Sequence, residues 1–319
     1  MIFPASAANI RRAAELIRAG DTVAFPTETV YGLGADATNA VAVARIFAVK
    51  ERPFFDPLIV HLADADRLAE VARDVPRDAR ALIERFWPGP LTLILAKRDC
   101  IPDIVTAELP SVAVRVPDHR VALDLLRLAD RPIAAPSANR FGCVSPTTAA
   151  HVQAQLDDRP AMILDDGPCA IGVESTIVSF LAERPALLRP GGVALEQIVD
   201  SIGPVDLLPK VDQGVAPGQS SRHYAPAAKL QLVRSAREVP VSERSDAALL
   251  VVGAKEEAAG FRCVESLARD GDLVTAAANL FSALHRLDAM GVGKIYAVEV
   301  PEEGLGCAIM DRLRRAARA

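Results

Sequence analysis

The sequence predicts an α/β protein of two domains, a larger one built on a mixed sheet with packed helices and a smaller one in which strands and helices alternate. Three observations carry this expectation. The chain has 319 residues, 50% of them hydrophobic, enough for more than one core at about 100–200 residues per domain. Before residue 205, short apolar runs outnumber helical patterns, and several neighbouring runs lie too close for a helical crossover, so some must pair antiparallel. A stretch rich in Gly, Pro and Ser, ending QSSRHYAP, then precedes a second series of strand and helix patterns. The expected division is a first domain over 1–205, a linker over 206–227 and a second domain over 228–319.

Taken in order, residues 7–19 form a helix with Ile10, Ala14 and Ile17 on one face and Gly20 as its stop. Residues 22–25 are a short strand ended by Pro26. Thr27, Glu28, Thr29 and Tyr31 then crowd hydrogen-bonding groups ahead of Gly32 and Gly34, a polar turn where backbone can bend tightly or approach a ligand. Asn39 caps a helix carrying Val41, Ala44, Ile46 and Phe47 on helical spacing, and this helix delivers Lys50 and Arg52 at its end. Residues 57–62 read as a buried strand interrupted by one imidazole, His61. A hydroxyl-rich turn, two cations and a histidine at neighbouring strand ends suit a polar, anionic ligand.

Helical patterns follow at 66–73 and 77–86, the second broken by Trp87-Pro88-Gly89-Pro90. Residues 91–95 and 112–116 are strands. Arg115, flanked by valines, is either a solvated strand residue or a site cation. After a helix ending at Leu128, the strand 132–135 empties into PSANRFGCVSPTT. There Ser137, Asn139, Ser145 and Thr147-Thr148 precede a helix start, an arrangement open to two readings, an anion-binding loop or an ordinary Asx/Ser turn with an N-cap. Strands at 161–165, 175–180 and 186–188 follow, the last running into Arg189, and a helix at 194–202 closes the domain. The second domain has strands at 229–233, 247–252, 261–264 and 295–300, with helices at 272–289 and 306–318. Its last helix carries Arg312, Arg314, Arg315 and Arg318, read as a solvated face rather than a nucleic-acid patch because Asp311 dilutes it.

The bulk charge narrows the classes. Lys+Arg total 36 against 41 Asp+Glu, a net −5. Residues 1–210 hold 22 against 27 and residues 211–319 hold 14 against 14, so neither part is a basic module of the kind that binds nucleic acid electrostatically. The five cysteines are scattered without C-x-x-C spacing, which argues against a disulfide framework or structural zinc and for a reducing cytoplasm. The N-terminus lacks a secretory pattern, and no run approaches the roughly 20 apolar residues of a membrane helix. No G-x-x-x-x-G-K-S/T or G-x-G-x-x-G pattern is present, so any phosphate site must be assembled from separate loops.

PTETVYGLGADA, KERP…PLIVHL, WPGPLT, VAVRVP, APSAN…SPT, GVESTIV, LLRPGG, HYAP and the terminal EEGLGCAIMDRLRRAA occur in this order along nearly the whole chain. Together they resemble the YrdC-like family of threonylcarbamoyl-adenylate synthases, in its long form. The resemblance implies a YrdC-like mixed twisted sheet followed by a smaller Rossmann-like domain. It implies conversion of ATP, L-threonine and bicarbonate to threonylcarbamoyl-AMP and pyrophosphate, the first step of a tRNA modification. It further implies that Lys50, Arg52, Ser137 and Asn139 form the nucleotide-phosphate and catalytic group. Asp56, Ser111, Ser145, Arg189, His223 and Tyr224 would be further ATP contacts, and Thr29, His61, Arg115 and Ser175 the threonine pocket. Mg²⁺ would accompany ATP, the linker over 211–226 would act as a lid, and a downstream threonylcarbamoyl-transferase complex would receive the adenylate. Asp56 departs from an asparagine common in the family, and its charge would repel phosphates unless Mg²⁺ or Arg52 offsets it. Gln219-Ser220-Ser221 likewise departs from the family's linker. Competing readings are a non-catalytic RNA-binding protein using the same cleft and a carbamoyl-adenylate enzyme of the hydrogenase-maturation kind. The acidic balance opposes the first, and the lack of paired cysteines opposes the second.

Overall fold

The computed structural model describes residues 1–207, 224–254 and 258–318. A large mixed sheet contains the strands from Ile2–Pro4 to Asp206–Leu207, and a separate four-stranded sheet contains Lys229–Val233, Ala247–Val251, Cys263–Ser266 and Lys294–Val298. The small sheet is parallel throughout, as its alternation with the helices Leu273–Ala289 and Gly306–Ala316 requires. No helix among the described residues is long and apolar enough to cross a membrane.

Period-two alternation explains how the large sheet is covered on two faces. Ala24, Leu33, Ala35 and Val60 enter one core, whereas Val23, Phe25 and Ile133 enter another, beneath the helices Ala7–Arg18 and Arg120–Ala129. Ser6 and Asn39 cap their helices by accepting backbone N–H bonds, which fixes where each chain segment leaves the sheet.

Three local expectations change. Gly32 to Asp36 is a fully buried strand, not part of a turn, paired antiparallel with Val23–Phe25. Gly34 is needed there for packing: a Cβ would lie 2.6 Å from both Phe25 and Ile133 side chains. The 66–73 helix is reduced to a 3₁₀ turn, the short helix Leu68–Val71 and the strand Ala72–Arg73, because Ala72 and Arg73 extend the sheet edge beside Lys97 and Ala96. Arg312 on the last helix is buried inside the protein, not solvated.

The two sheets share a core. Val30, Val144 and Val173 of the first domain join the cluster of Leu280, Phe281 and Leu284. Gly172, at φ +71°, lets this approach happen, since a Cβ would stand 2.3 Å from the carbonyl oxygen of Ala278. Thr147 Oγ1 lies 2.8 Å from Ser282 Oγ, and the rings of His151 and His285 stack at 3.9 Å across the same contact.

Candidate functional site

Strand register sets out a cleft. Ile59–His61 and Ser111–Arg115 run parallel with His61 opposite Arg115, so an imidazole and a guanidinium end adjacent strands. Thr176–Ser179 runs antiparallel to Ala186–Arg189, which brings Ser175 and Arg189 together. Ser111 starts the strand that Arg115 ends and pairs with Ala96 on its other neighbour, while the Pro57 carbonyl accepts from Arg52 Nη2 at 3.0 Å. Thr27, Thr29, Arg52, Ile59, His61, Arg115, Ser137, Glu174, Ser175, Arg189 and Tyr224 line one cleft across the sheet.

At one end, Arg115 donates to Thr29 Oγ1 at 3.1 Å and is ion-paired with Glu28. Glu28 is therefore the counterion of Arg115. Arg115 Nε is buried without a hydrogen-bond partner, as is Glu28 Oε2. Such orphaned groups are rare in folded proteins and point to something that binds. His61 Nδ1 donates to the Ile59 carbonyl at 3.2 Å, and burial, aided by Arg115, pushes its pKa down to about 3. It is a neutral imidazole at physiological pH, suited to hydrogen bonding and not to carrying charge. Ser175 Oγ lies 2.7 Å from Thr92 Oγ1 and accepts from Arg189 Nη2 at 3.1 Å, while Arg189 Nε also holds the Ser175 carbonyl.

At the other end, Arg52 and Asp56 form a buried pair with N···O 2.8 Å, so the carboxylate at 56 is offset by a guanidinium. Arg52 also lies over the Phe141 ring at 5.9 Å. Lys50 stands behind the wall: its ammonium donates to the carbonyls of Ser137 and Asn139, bracing the loop that presents Ser137. Burial first, and then Arg52, push its pKa well below the usual lysine range. Asn139 likewise holds its own loop, with Nδ2 donating to the Arg140 and Cys143 carbonyls at 2.7 and 3.0 Å. Ser145 donates to Glu174 Oε1 at 2.5 Å.

Of the residues expected at the site, Thr29, Arg52, His61, Arg115, Ser137, Ser175, Arg189 and Tyr224 line the cleft. Lys50, Asp56, Asn139 and Ser145 support residues that do, Ser111 opens the strand that Arg115 ends, and His223 and the stretch Gln219-Ser220-Ser221 lie outside the described residues. Tyr224 reaches the cleft from the chain entering the second domain, buried at φ +63° and stacked on Phe281 at 5.6 Å. Glu174 was not singled out from sequence, and Thr27 was read only as part of the polar turn. Glu174 had a signal, a carboxylate directly before Ser175 in an otherwise uncharged strand entry, but nothing local says which way it faces.

No cluster of three or more metal-ligating side chains occurs among the described residues. Glu28, Asp56 and Glu174 are each committed to a guanidinium, those of Arg115, Arg52 and Arg312. This donor set does not fit a magnesium ion held by protein carboxylates.

The Sua5/YciO/YrdC family, described as telomere recombination, matches residues 15–191, and the C-terminal domain of threonylcarbamoyl-AMP synthases matches residues 193–318. A threonylcarbamoyl-AMP synthase of Pyrococcus abyssi is 45% identical over 96% of this chain and 93% of its own length. One from Bacillus subtilis is 45% identical over 97% and 92%. The crystal structure of P. abyssi Sua5 complexed with L-threonine superposes with a TM-score of 0.93 at 42% identity, covering 99% of this chain and 97% of that one.

Proposed function

The chain belongs to the threonylcarbamoyl-AMP synthase family, and from that premise we propose that its cleft joins ATP, L-threonine and bicarbonate into threonylcarbamoyl-AMP with release of pyrophosphate. The observation that carries the reading is the convergence of Arg52, Arg115 and Arg189 with the hydroxyls of Thr29, Ser137 and Ser175 on one cleft. Threonine's carboxylate satisfies the buried, unpartnered Nε of Arg115, in the planar fork that a lysine could not offer. Thr29 and Ser175 flank it, and neutral His61 hydrogen-bonds without adding a charge that would oppose the substrate's ammonium.

The phosphates take the end formed by Arg52 and Ser137, with Arg189 beside them. Magnesium enters as part of the substrate, MgATP, because Glu28, Asp56 and Glu174 are each paired with a guanidinium. Threonine's amine adds to bicarbonate with loss of water, and a carbamate oxygen then attacks the α-phosphorus as pyrophosphate departs. That displacement needs in-line positioning and charge neutralisation more than an acid–base pair. The chain's own groups provide it: Arg115 fixes the carbamate-bearing end, while Arg52 and Arg189 receive the charge that develops on the leaving oxygens. Lys50 and Asn139 act by holding the Ser137 loop in place. A closed cleft protects the carbamate from loss of CO₂; most of the linker over 211–226, expected from sequence as its lid, lies outside the described residues. Five cysteines that form no disulfide and the use of ATP favour the cytoplasm, and a threonylcarbamoyl-transferase acting on tRNA is the acceptor chemistry the product requires.

The test is pyrophosphate release from MgATP and bicarbonate with L-threonine, L-serine or no amino acid. Release that depends on threonine is the expected result. Equal release with all three would remove the threonine pocket, and none at all would remove the enzyme reading.

A further inference from the structure

The second domain places a charge next to the cleft. Glu174 lines it, immediately before Ser175, and is buried. Its Oε1 accepts from Ser145 at 2.5 Å, and its Oε2 is held by Arg312 Nε at 2.9 Å, across 138 residues of sequence. Arg312 comes from the last helix, Gly306–Ala316, and its side chain is fully buried. Its Nη1 donates to the Pro190 carbonyl and to Asp311 Oδ2, each at 2.8 Å, and its guanidinium lies 5.2 Å from the centre of the Tyr224 ring. One side chain thus grips the residue before Ser175, the residue after Arg189 and the face of Tyr224.

A carboxylate on the wall of a site for a triphosphate is repulsive unless countered. The buried cations are Arg52, Arg115 and Arg189 on the cleft wall and Lys50 and Arg312 behind it, against the carboxylates of Glu28, Asp56 and Glu174. Arg52 and Arg115 are each matched by a carboxylate of the first domain, so without Arg312 the Glu174 charge would cancel Arg189. We infer that Arg312 is a positioning residue for nucleotide binding: it neutralises Glu174 and holds it against Ser145, making the second domain a component of the ATP site. The inference rests on the synthase reading above for which substrate occupies the cleft.

In the full-length chain, wild type is compared with Arg312→Met, Arg312→Lys and the double variant Glu174→Gln/Arg312→Met. ATP and threonine KM are read from pyrophosphate release, and the MgATP Kd from calorimetry without threonine. Arg312→Met is expected to raise ATP KM and Kd at least about tenfold while threonine KM moves less than about threefold. Arg312→Lys, which keeps the charge without the fork, falls between the two. The double variant returns ATP KM and Kd to within about threefold of wild type, because a neutral amide needs no counterion. A purely structural contact would instead raise both KM values together, or leave the double variant as impaired as the single one, and either result overturns the inference. Should Arg312→Met not fold, the double variant decides alone: MgATP affinity near wild type supports the inference, and a tenfold loss overturns it. The calorimetric arm separates the two claims. Wild type that binds MgATP without threonine-dependent turnover refutes the synthase reading and leaves the Arg312 comparison standing. A working synthase whose MgATP affinity ignores Arg312 refutes the inference alone.

Discussion

Arg115 and Arg312 are both buried guanidiniums paired with a buried carboxylate at the same cleft, yet they arrive by different routes. Arg115 ends a strand of the large sheet and meets Glu28 and Thr29 from the loop after a strand of that same sheet. Arg312 crosses from the other domain to meet Glu174, and its placement depends on packing between Val173, Phe281 and their neighbours. Each guanidinium has one buried nitrogen without a hydrogen-bond partner, Arg115 Nε and Arg312 Nη2, but Arg115 lines the cleft, whereas Arg312 lies behind it and holds Glu174, Pro190 and Asp311. One guanidinium stands on the cleft surface, and the other, behind it, holds in shape the wall that Glu174 lines.

The largest effect that sharpens this contrast is expected at Arg115. Arg115→Met should reduce threonine-dependent pyrophosphate release at least about 100-fold and, by stranding Glu28, cost about 3–5 kcal/mol in urea unfolding. Arg115→Lys should leave most of the kinetic defect in place because the fork is lost.

The domain contact is broken next most severely at Gly172. A Cβ there meets the Ala278 backbone at 2.3 Å, and φ is +71°, so Gly172→Ala is expected to cost about 2–4 kcal/mol, measured by denaturant midpoint. Gly167→Ala is the control: φ is +82° but nothing lies within 4 Å, so only the backbone strain of about 1–2 kcal/mol is expected.

Acid should loosen the same contact. Burial, with His285 second, brings His151 down to about 4 from its ordinary 6.5, and burial also lowers His285. His285 faces Ser145 and Asp288, and His151 faces Thr147, His285 and Arg286. Both rings titrate near 6.5 when unfolded and stay neutral in the fold, so the unfolded chain binds the extra protons and stability falls as pH drops from about 6.5 towards about 4. A thermal melt series should show Tm falling by several degrees over that window, and His151→Phe/His285→Phe should reduce the fall, the remainder including the buried His61, held down to about 3.

The smallest effect is expected at the surface. Arg286 and Glu265 pair at 2.9 Å with the arginine half exposed, so Arg286→Ala should cost less than about 1 kcal/mol in the same unfolding experiment.

What the sequence reveals follows the same division. Period and capping place most elements within a few residues, and the strand Lys229–Val233 lies where it was expected, because those signals are local. Thr29, His61 and Ser137 stand at strand ends or turns that the apolar runs mark, whereas Arg115 is left between two readings by its strand and Ser175 is named only by the family resemblance. The strand Gly32–Asp36 was not, since its glycines imitate a turn until Phe25 and Ile133 are seen to pack against them. Arg312 was not legible either: a run of arginines on a terminal helix looks solvated, and only the docking of that helix beside Glu174 buries one of them. Lys50 was found as a residue, but its direction, towards the Ser137 and Asn139 carbonyls, required the fold.

The most direct test of the account supplies wild-type protein with MgATP, L-threonine and ¹³C-labelled bicarbonate and identifies the adenylate by mass spectrometry. The account predicts threonylcarbamoyl-AMP one mass unit heavier than the unlabelled product, formed in step with pyrophosphate. An unlabelled threonyl adenylate, or AMP and pyrophosphate with no label incorporated, would contradict it.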